Sequence, residues 1–271
     1  MKTSNHLLRR LTAALLAAVL ALSIALPVFA SDDGDTIYIN SVSDLLSLAK
    51  SCAYDQWSVG KTVILQKDLS LEGMLWEPIP SFSGQFKGSG HTISDLTITG
   101  QYSPAGLFGI VEEQGSIESL SVRGIVSVSD AADTTTGGIV GINHGTLINC
   151  QFTGVVTGDS EVGGIVGRNE SEGTIDHSTA RAIVTGKSST GGIAGYNLGA
   201  ITGCTNVGSI NTEYQEASLD TDGFTAKMVD QINNKIAAAD DDATNSVTNV
   251  ATDTGGIAGR SSGMILTSVN T

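Results

Sequence analysis

The chain is poor in aromatic, charged and basic residues, and these shortages exclude several classes of protein. Of its 271 residues only 5% are aromatic and 15% are charged, and 14 Lys and Arg stand against 28 Asp and Glu, for a formal net charge of −14. Because nucleic-acid binding depends on cationic contacts to phosphate, nucleic acid is not expected as a partner. Hydrophobic residues still make up 40% of the chain, which is enough for a core and argues against wholesale disorder.

Cysteine is also scarce, whereas glycine is abundant. The three cysteines, Cys52, Cys150 and Cys204, cannot all pair, so the sequence contains no disulfide framework. The 33 glycines do not follow a Gly-X-Y triplet, which excludes collagen. A core with few aromatic residues and many Ile, Val, Ala and Gly residues is expected to consist of thin, closely stacked layers.

Residues 1–30 have the three parts of an export signal. Lys2, Arg9 and Arg10 precede an apolar run from Leu11 to Leu26, and Val28-Phe29-Ala30 offers small residues for cleavage after Ala30. An uncleaved membrane anchor is the alternative, although the apolar run is short for a membrane span. We therefore predict a signal peptide and a secreted or cell-surface protein with no membrane span after cleavage. Cleavage would make the net charge three units more negative.

A five-residue phrase, Gly-Gly-Ile-Val/Ala-Gly, repeats through the body of the chain. It begins at Gly137, Gly163, Gly191 and Gly255, and Gly106-Leu107-Phe108-Gly109 is a degenerate copy. A period of about 27 residues indicates a solenoid, a propeller or a repeat array. Each repeat holds three short β-branched runs, and three strands per turn predict an all-β, three-sided parallel β-helix. A propeller blade needs a longer repeat.

Equivalent residues of successive coils are expected to stack about 4.8 Å apart. One inward apolar column would contain Ile117, Leu147, Ile175 and Ile201. A second would contain Cys150, Ser178 and Cys204, in which the two thiols lie about 9–10 Å apart, beyond the Cα reach of a disulfide of about 7 Å. We therefore predict free, buried thiols. Asparagine tolerates left-handed backbone and can bond its own backbone, so corners are predicted at Asn143, Asn169 and Asn197.

The segments around the repeats predict an N-terminal cap and one insertion. Residues 31–103 are expected to form cap and preamble strands, with a strand at Ile37-Tyr38-Ile39 and a helix that starts at Ser41 or Ser43. Coils are predicted over residues 104–211, an acidic and partly helical insertion over residues 212–253, and a further incomplete coil over residues 254–271. The apolar stripe of the cap helix is predicted at Val42, Leu45, Leu46 and Ala49.

The repeated phrase, with its Asn and the Leu/Ile-x-x-Cys that follows, resembles the GLUG repeats of bacterial surface proteins. Trp76-Glu77-Pro78-Ile79 and residues 82–88 resemble the segment that usually precedes such repeats. The resemblance covers residues 36–211 and 254–271. It implies a right-handed parallel β-helix that serves as a non-catalytic region of an exported or wall-attached protein. Some relatives precede an IgA-cleaving zinc peptidase, but no histidine of this chain stands in a His-Glu-x-x-His motif.

Motifs for catalysis and metal binding are incomplete. Residues 259–263 fit Gly-x-Ser-x-Gly, but Ser261 takes the place of the repeat asparagine. A calcium-loop pattern at Asp220 and Asp222 lacks its final acidic ligand because Val229 stands there. We therefore expect no catalytic residue, no metal site and no cofactor. Weak calcium binding by the acidic insertion is the alternative.

Two functions follow from these patterns. The first is an exported structural or adhesive repeat module that presents one β-helix face to an extracellular glycan or protein. Its candidate binding residues are Arg168, Tyr196 and Arg260, which follow the repeated phrase and share an outward column with Ile142. The second is a polysaccharide lyase or hydrolase, which would need acidic residues on the same face. No acidic pair occupies the same column.

The chain reaches Thr271 in the middle of a coil, after the run Met264-Ile265-Leu266. A solenoid that is open at one end exposes unpaired backbone groups and apolar side chains. We therefore expect further coils and an anchoring or effector region to follow, and the chain alone to self-associate end to end. The alternative is that the insertion covers the open end.

Overall fold

The structure, a computed structural model, describes residues 36–53, 56–128, 134–211 and 252–271. These residues belong to one compact unit that begins at Thr36. They form a parallel β-solenoid of 26 strands with one helix, α1 (Val42–Ser51). The predicted signal peptide, and the predicted insertion as far as residue 251, lie outside the described residues. Within the described ranges no helix has both the length and the apolar character needed to cross a membrane.

The strands are short and follow one another with few intervening residues. The N-terminal segment contains β1 (Thr36–Ile39), β2 (Thr62–Leu65), β3 (Leu69–Ser70), β4 (Ile79–Phe82), β5 (Gln85–Lys87) and β6 (Thr92–Gly100). The next strands are β7 (Phe108–Val111), β8 (Ser116–Glu118), β9 (Ser121–Val128), β10 (Thr135–Gly137), β11 (Val140–Asn143), β12 (Thr146–Ile148) and β13 (Gln151–Thr157). They are followed by β14 (Glu161–Gly163), β15 (Val166–Asn169), β16 (Thr174–Asp176), β17 (Thr179–Thr185), β18 (Ser188–Gly191), β19 (Ala194–Asn197), β20 (Ala200–Thr202), β21 (Thr205–Asn206) and β22 (Ser209–Ile210). The last four are β23 (Thr252–Gly255), β24 (Ala258–Ser261), β25 (Met264–Leu266) and β26 (Val269–Asn270).

Four parallel sheets run along the solenoid. Sheet A contains β1, β2, β5, β8, β12, β16, β20 and β25, and sheet B contains β3, β6, β9, β13, β17, β21 and β26, with β22 also paired to β17. Sheet C contains β4, β7, β11, β15, β19 and β24, and sheet D contains β10, β14, β18 and β23. Each strand therefore pairs with its equivalent in the next coil, as the repeat predicted.

Each complete repeat carries four strands, whereas the sequence predicted three. The fourth strand belongs to sheet D and ends on the first glycine of the repeated phrase, as in Thr135–Gly137 and Glu161–Gly163. The residues of this strand pair in register with the next coil, Thr136 with Val162 and Gly137 with Gly163. A strand of three or four residues that ends on a glycine is too short to show an alternating apolar pattern, so the sequence did not distinguish it from a turn.

The core is the predicted stack of apolar columns. The inward column of sheet A is fully buried and consists of Val63, Phe86, Ile117, Leu147, Ile175 and Ile201. Its next member, Ile265, is 38% exposed. The first coils hold the large aromatic side chains, with ring centroids of Phe82 and Phe108 separated by 5.4 Å. This arrangement confirms the inward column and explains how a chain with few aromatic residues fills its core.

Helix α1 begins as predicted, and three of the four residues of its predicted apolar stripe, Val42, Leu45 and Ala49, pack against the core. Ser41 is the N-cap, and its Oγ accepts a hydrogen bond from the backbone N of Asp44 at 3.2 Å. Leu45 and Leu48 are buried against the core, whereas Leu46, which was predicted on the apolar stripe, is 41% exposed. The contact face therefore consists of Val42, Leu45, Leu48 and Ala49, with Leu48 in place of the predicted Leu46.

Candidate functional site

A ladder of buried asparagines fixes the edge of sheet C. Asn143 Nδ2 donates to Asn169 Oδ1 at 2.8 Å, Asn169 Nδ2 donates to Asn197 Oδ1 at 2.8 Å, and Asn197 Nδ2 donates to Ser261 Oγ at 3.1 Å. Asn143 also accepts from the backbone N of Gly145 through its Oδ1, so it bonds its own turn as predicted. The three asparagines end strands β11, β15 and β19 directly before a turn, so they lie at corners as predicted, but none of them has the left-handed backbone that was expected there.

The left-handed corner lies elsewhere in each coil, just before the column that contains the cysteines. Residues with positive φ stand there in successive coils, at Ser119, Asn149, His177, Gly203 and Thr267. The cysteine column itself is as predicted. Cys150 N donates to Ser178 Oγ, Ser178 N donates to Cys204 Sγ, and the thiols of Cys52, Cys150 and Cys204 are free and buried. Burial raises the pKa of Cys150 to about 12.

The asparagine ladder determines which side chains point outward next to it. Because side chains alternate along a strand, the residue before each ladder position faces solvent. The register of sheet C aligns these residues in one line, which we call the outer column: Ser81, Ile110, Ile142, Arg168, Tyr196 and Arg260. The structure thus brings the three predicted binding residues together in adjacent strands.

Two carboxylates clamp Arg168. Its Nη1 lies 2.6 Å from Glu161 Oε1 and its Nε lies 2.6 Å from Glu170 Oε1. Partial burial of Arg168 opposes its charge, but the hydrogen bonds and negative charges of Glu170 and Glu161 outweigh burial and raise the guanidinium pKa. Arg168 therefore stays charged, its charge is compensated by the two carboxylates, and its side chain is held in place beside Tyr196.

Tyr196 is stacked between two guanidinium groups. The guanidinium carbon of Arg168 lies 4.9 Å from the Tyr196 ring centroid, and that of Arg260 lies 5.5 Å from it. Since the strands carrying Arg168 and Arg260 lie on opposite sides of β19, the two cations cover the two faces of the ring. A sugar therefore cannot stack on this tyrosine. We call these three residues the arginine–tyrosine stack.

Arg260 is the member of the stack that is open to a ligand. Its side chain is exposed, and within the described ranges no carboxylate forms an ion pair with it. A guanidinium that lies over an aromatic ring can keep N–H groups available for two parallel hydrogen bonds to a carboxylate or sulfate. The stack can thus bind an anionic group at one defined point.

Sequence reasoning missed Glu161 and Glu170 because they do not belong to the outer column. Glu161 begins β14 of sheet D, and Glu170 follows the ladder residue Asn169. In the sequence, Glu161 stands two residues before the glycine pair of its repeat, and Glu170 directly follows the asparagine of the same repeat. These two positions indicate contacts with Arg168 only when sheet D is known to lie beside sheet C.

The remaining residues with chemical potential have structural roles. Ser261 Oγ accepts from Asn197 and donates to the carbonyl of Gly263 at 3.2 Å, so it replaces a ladder asparagine as predicted. His177 lies at a left-handed corner, with Nδ1 2.8 Å from Asp176 Oδ1. In the part of the chain that the structure describes, no three His, Cys, Asp or Glu side chains gather as a metal site.

Comparisons with known proteins agree with the repeat. Residues 158–185, which include β14 to β17, match the family model Glug, described as the GLUG motif. Halomucin of Haloquadratum walsbyi is 32% identical over 155 residues, and the match covers 52% of this chain and 2% of that protein. A candidate Gly-rich membrane protein of Evansella cellulosilytica is 28% identical over 137 residues, or 36% of this chain and 16% of that protein. The chain therefore spans only a small part of these relatives.

One solved structure was also matched over much of its length. It is the crystal structure of a candidate immunoglobulin A1 protease from Bacteroides ovatus, with 14% sequence identity and a TM-score of 0.40. The likeness covers 75% of this chain and 87% of the other.

Proposed function

We propose that this GLUG-containing chain is an exported, non-catalytic repeat module of a bacterial cell-surface protein, and that it presents the outer face of sheet C to an extracellular glycan or protein. The GLUG motif and the β-solenoid fit a repeat module of a surface protein. The observation that carries the binding role is the arginine–tyrosine stack, in which Arg260 is exposed while Arg168 is clamped by two carboxylates.

The stack is suited to binding because it is ordered before a ligand arrives. Glu161 and Glu170 hold Arg168, Arg168 supports the Tyr196 ring, and the ring supports Arg260. Ordering a long arginine side chain in advance removes much of the entropy cost of binding. The ligand chemistry that this favours is a carboxylate or sulfate group, as in acidic sugars or an acidic protein segment.

The finer architecture belongs to the same proposal. The three long sheets A, B and C form the sides of a right-handed, three-sided solenoid, and the short sheet D makes the corner before sheet C. Helix α1 caps the first coil, which is supported by the burial of Leu45 and Leu48 in the core. Export is supported by the basic and apolar pattern of residues 1–30.

A polysaccharide lyase or hydrolase is the second candidate, and one observation favours it. Glu161 and Glu170 converge with Arg168 on one outer face, which the sequence did not indicate. Both carboxylates, however, bind the same guanidinium, so neither is free to transfer a proton without breaking the clamp. We therefore favour binding without turnover.

Product assays decide between the two candidates. The full-length chain is incubated with pectin, alginate and host glycans, and reducing ends and unsaturated products are measured. We expect no product above the level of a buffer control. Product that persists through purification and is lost in Arg168→Ala would overturn the non-catalytic role.

A further inference from the structure

A second candidate site lies at the N-terminal end of the outer column. It is a cleft of about 310 Å³ beside Ser81, the first residue of that column. Five strand steps separate Ser81 from Arg260, or about 24 Å at 4.8 Å per step. The side chains that line the cleft and carry the argument are Gln56, Val59, Ser81, Glu112, Glu113 and Gln114.

Backbone hydrogen bonds hold the cleft in shape. Ser58 is buried, and its Oγ accepts from the backbone N of Ser83 at 2.8 Å, which ties the loop after α1 to the end of β4. Within that loop the backbone N of Val59 donates to the carbonyl of Gln56 at 3.1 Å. A cleft whose walls are fixed in this way is largely preformed, as ligand sites usually are.

The lining has many hydrogen-bond acceptors and no cation. Ser81 Oγ donates to Glu112 Oε1 at 2.7 Å, so this hydroxyl is directed to the carboxylate. Glu112 and Glu113 supply the remaining carboxylate oxygens, and Gln56 and Gln114 supply carboxamides that both donate and accept. A ligand that presents several O–H or N–H donors, and no negative charge, matches this set.

The size and the one apolar wall narrow the class of ligand further. A volume of about 310 Å³ is at the lower end of small-molecule sites, which span about 300–1,000 Å³. Val59 is 42% exposed and offers a small apolar surface beside the polar groups. A single sugar ring, with hydroxyls at its rim and C–H groups on its face, has these dimensions and this mixed character.

We propose that this cleft is a sugar subsite that prefers a pyranose carrying an ammonium group over a neutral one, and rejects one carrying a carboxylate. This inference extends the proposed function. It rests on that function in one respect, which is that the glycan lies along the outer column. The cleft at one end takes a cationic or neutral sugar, and Arg260 at the other end takes an anionic group. The face therefore fixes the direction in which a glycan chain lies.

Three pyranoses of the same size test the preference: D-glucosamine, D-glucose and D-glucuronate. Binding to the full-length chain is measured by saturation-transfer NMR and calorimetric titration. We expect affinity to fall in that order. Glu113→Gln should weaken glucosamine binding by about two- to fivefold, the range of one exposed charge pair, with little effect on glucose. Glu118→Gln, which removes one charge from the outer face of sheet A, is the matched control and should change nothing.

The outcomes separate this inference from the proposed function. Failure to bind glucosamine, equal binding of glucuronate, or an equal effect of Glu118→Gln would overturn the sugar subsite alone. Gln114→Ala adds a second variant that removes no charge, and it should weaken glucosamine and glucose alike. Binding of acidic ligands by Arg260→Ala is measured separately and reports only on the proposed function.

Discussion

Asn143 and Asn169 are joined by a buried hydrogen bond of 2.8 Å between side-chain amides of adjacent coils. Asn169 and Asn197 each accept from the coil before and donate to the coil after, and the series of side-chain hydrogen bonds ends at Ser261. A slip of one residue would place an outward side chain inside and leave amides unpaired, so the ladder fixes the register of sheet C.

Replacing the central ladder residue should destabilise the protein strongly. Asn169→Ala removes bonds to Asn143, Asn197 and the carbonyl of Gly173, and it leaves buried partners unpaired. We expect the free energy of unfolding to fall by about 3 kcal/mol in urea titrations. Asn40→Ala, at an exposed position, should stay within about 0.5 kcal/mol of the wild type. Equal stability of the two variants would contradict a structural role for the ladder.

Thr136→Val should increase stability. The hydroxyl of Thr136 is buried without a hydrogen-bond partner, and Val162 already occupies the equivalent place in the next coil. Removing an unpaired buried hydroxyl at nearly constant volume is expected to add about 1 kcal/mol to the free energy of unfolding. Thr190→Val, two coils from Thr136 in the same column, should lower stability because Thr190 Oγ1 donates to the carbonyl oxygen of Ser188 at 3.3 Å. If both variants change the free energy of unfolding in the same direction, the hydrogen bond of the threonine hydroxyl does not determine the effect.

Stacking within the solenoid was predictable because it depends only on spacing. The inward column through Ile117 and Leu147, and the cysteine column of Cys150 and Cys204, followed from the repeat length. The short sheet D was missed because its strands are three or four residues long and end on the glycine of the repeated phrase, which is typical of a turn. The asparagines were assigned to left-handed corners because local preference favours that conformation, whereas stacking of equivalent amides outweighs it.

Two glycines with positive φ should differ sharply in their tolerance of alanine. At Gly154, φ is 150°, and a Cβ would collide with the carbonyl oxygen of Gly124 in the preceding coil. At Gly73, φ is 78° and a Cβ would meet nothing within 4 Å. We expect Gly154→Ala to cost more than about 3 kcal/mol and Gly73→Ala about 1 kcal/mol, measured by thermal and urea unfolding. Similar losses of stability would mean that backbone conformation, and not the close approach of coils, determines the cost of alanine at both positions.

The buried thiols should make the protein sensitive to alkali. Burial raises the pKa of Cys150 from 9.0 to about 12, so the folded state disfavours the thiolate. The stability that this thiol contributes is complete below pH 9 and is lost as the pH rises from about 9 towards 12. Between pH 8 and 11 we expect the free energy of unfolding of the wild type to fall by about 2 kcal/mol more than that of Cys150→Ser. Serine is a suitable replacement because Ser178 occupies the equivalent position in the next coil. Parallel pH profiles would refute this linkage.

The candidate site was predicted only in part, for a physical reason. Arg168, Tyr196 and Arg260 share one strand position, so the repeat aligned them correctly. Glu161 and Glu170 reach Arg168 from a neighbouring strand and a turn, and such lateral contacts depend on side-chain length and on sheet D. The cleft beside Ser81 joins a loop to a strand 25 residues away, which no repeat pattern encodes.

Binding of acidic glycans by variants of Arg260 tests the account most directly. The full-length chain, Arg260→Ala, Arg260→Lys and the control Lys87→Ala, an exposed residue of sheet A, are titrated against immobilised pectin, alginate and sulfated host glycans. We expect at least one glycan to bind wild type and Lys87→Ala equally, Arg260→Ala at least about tenfold more weakly, and Arg260→Lys in between, because lysine keeps the charge but loses the paired hydrogen bonds. Equal binding by Arg260→Ala and wild type, or no binding to any of these glycans, would contradict the proposal that the outer face of sheet C recognises an acidic glycan.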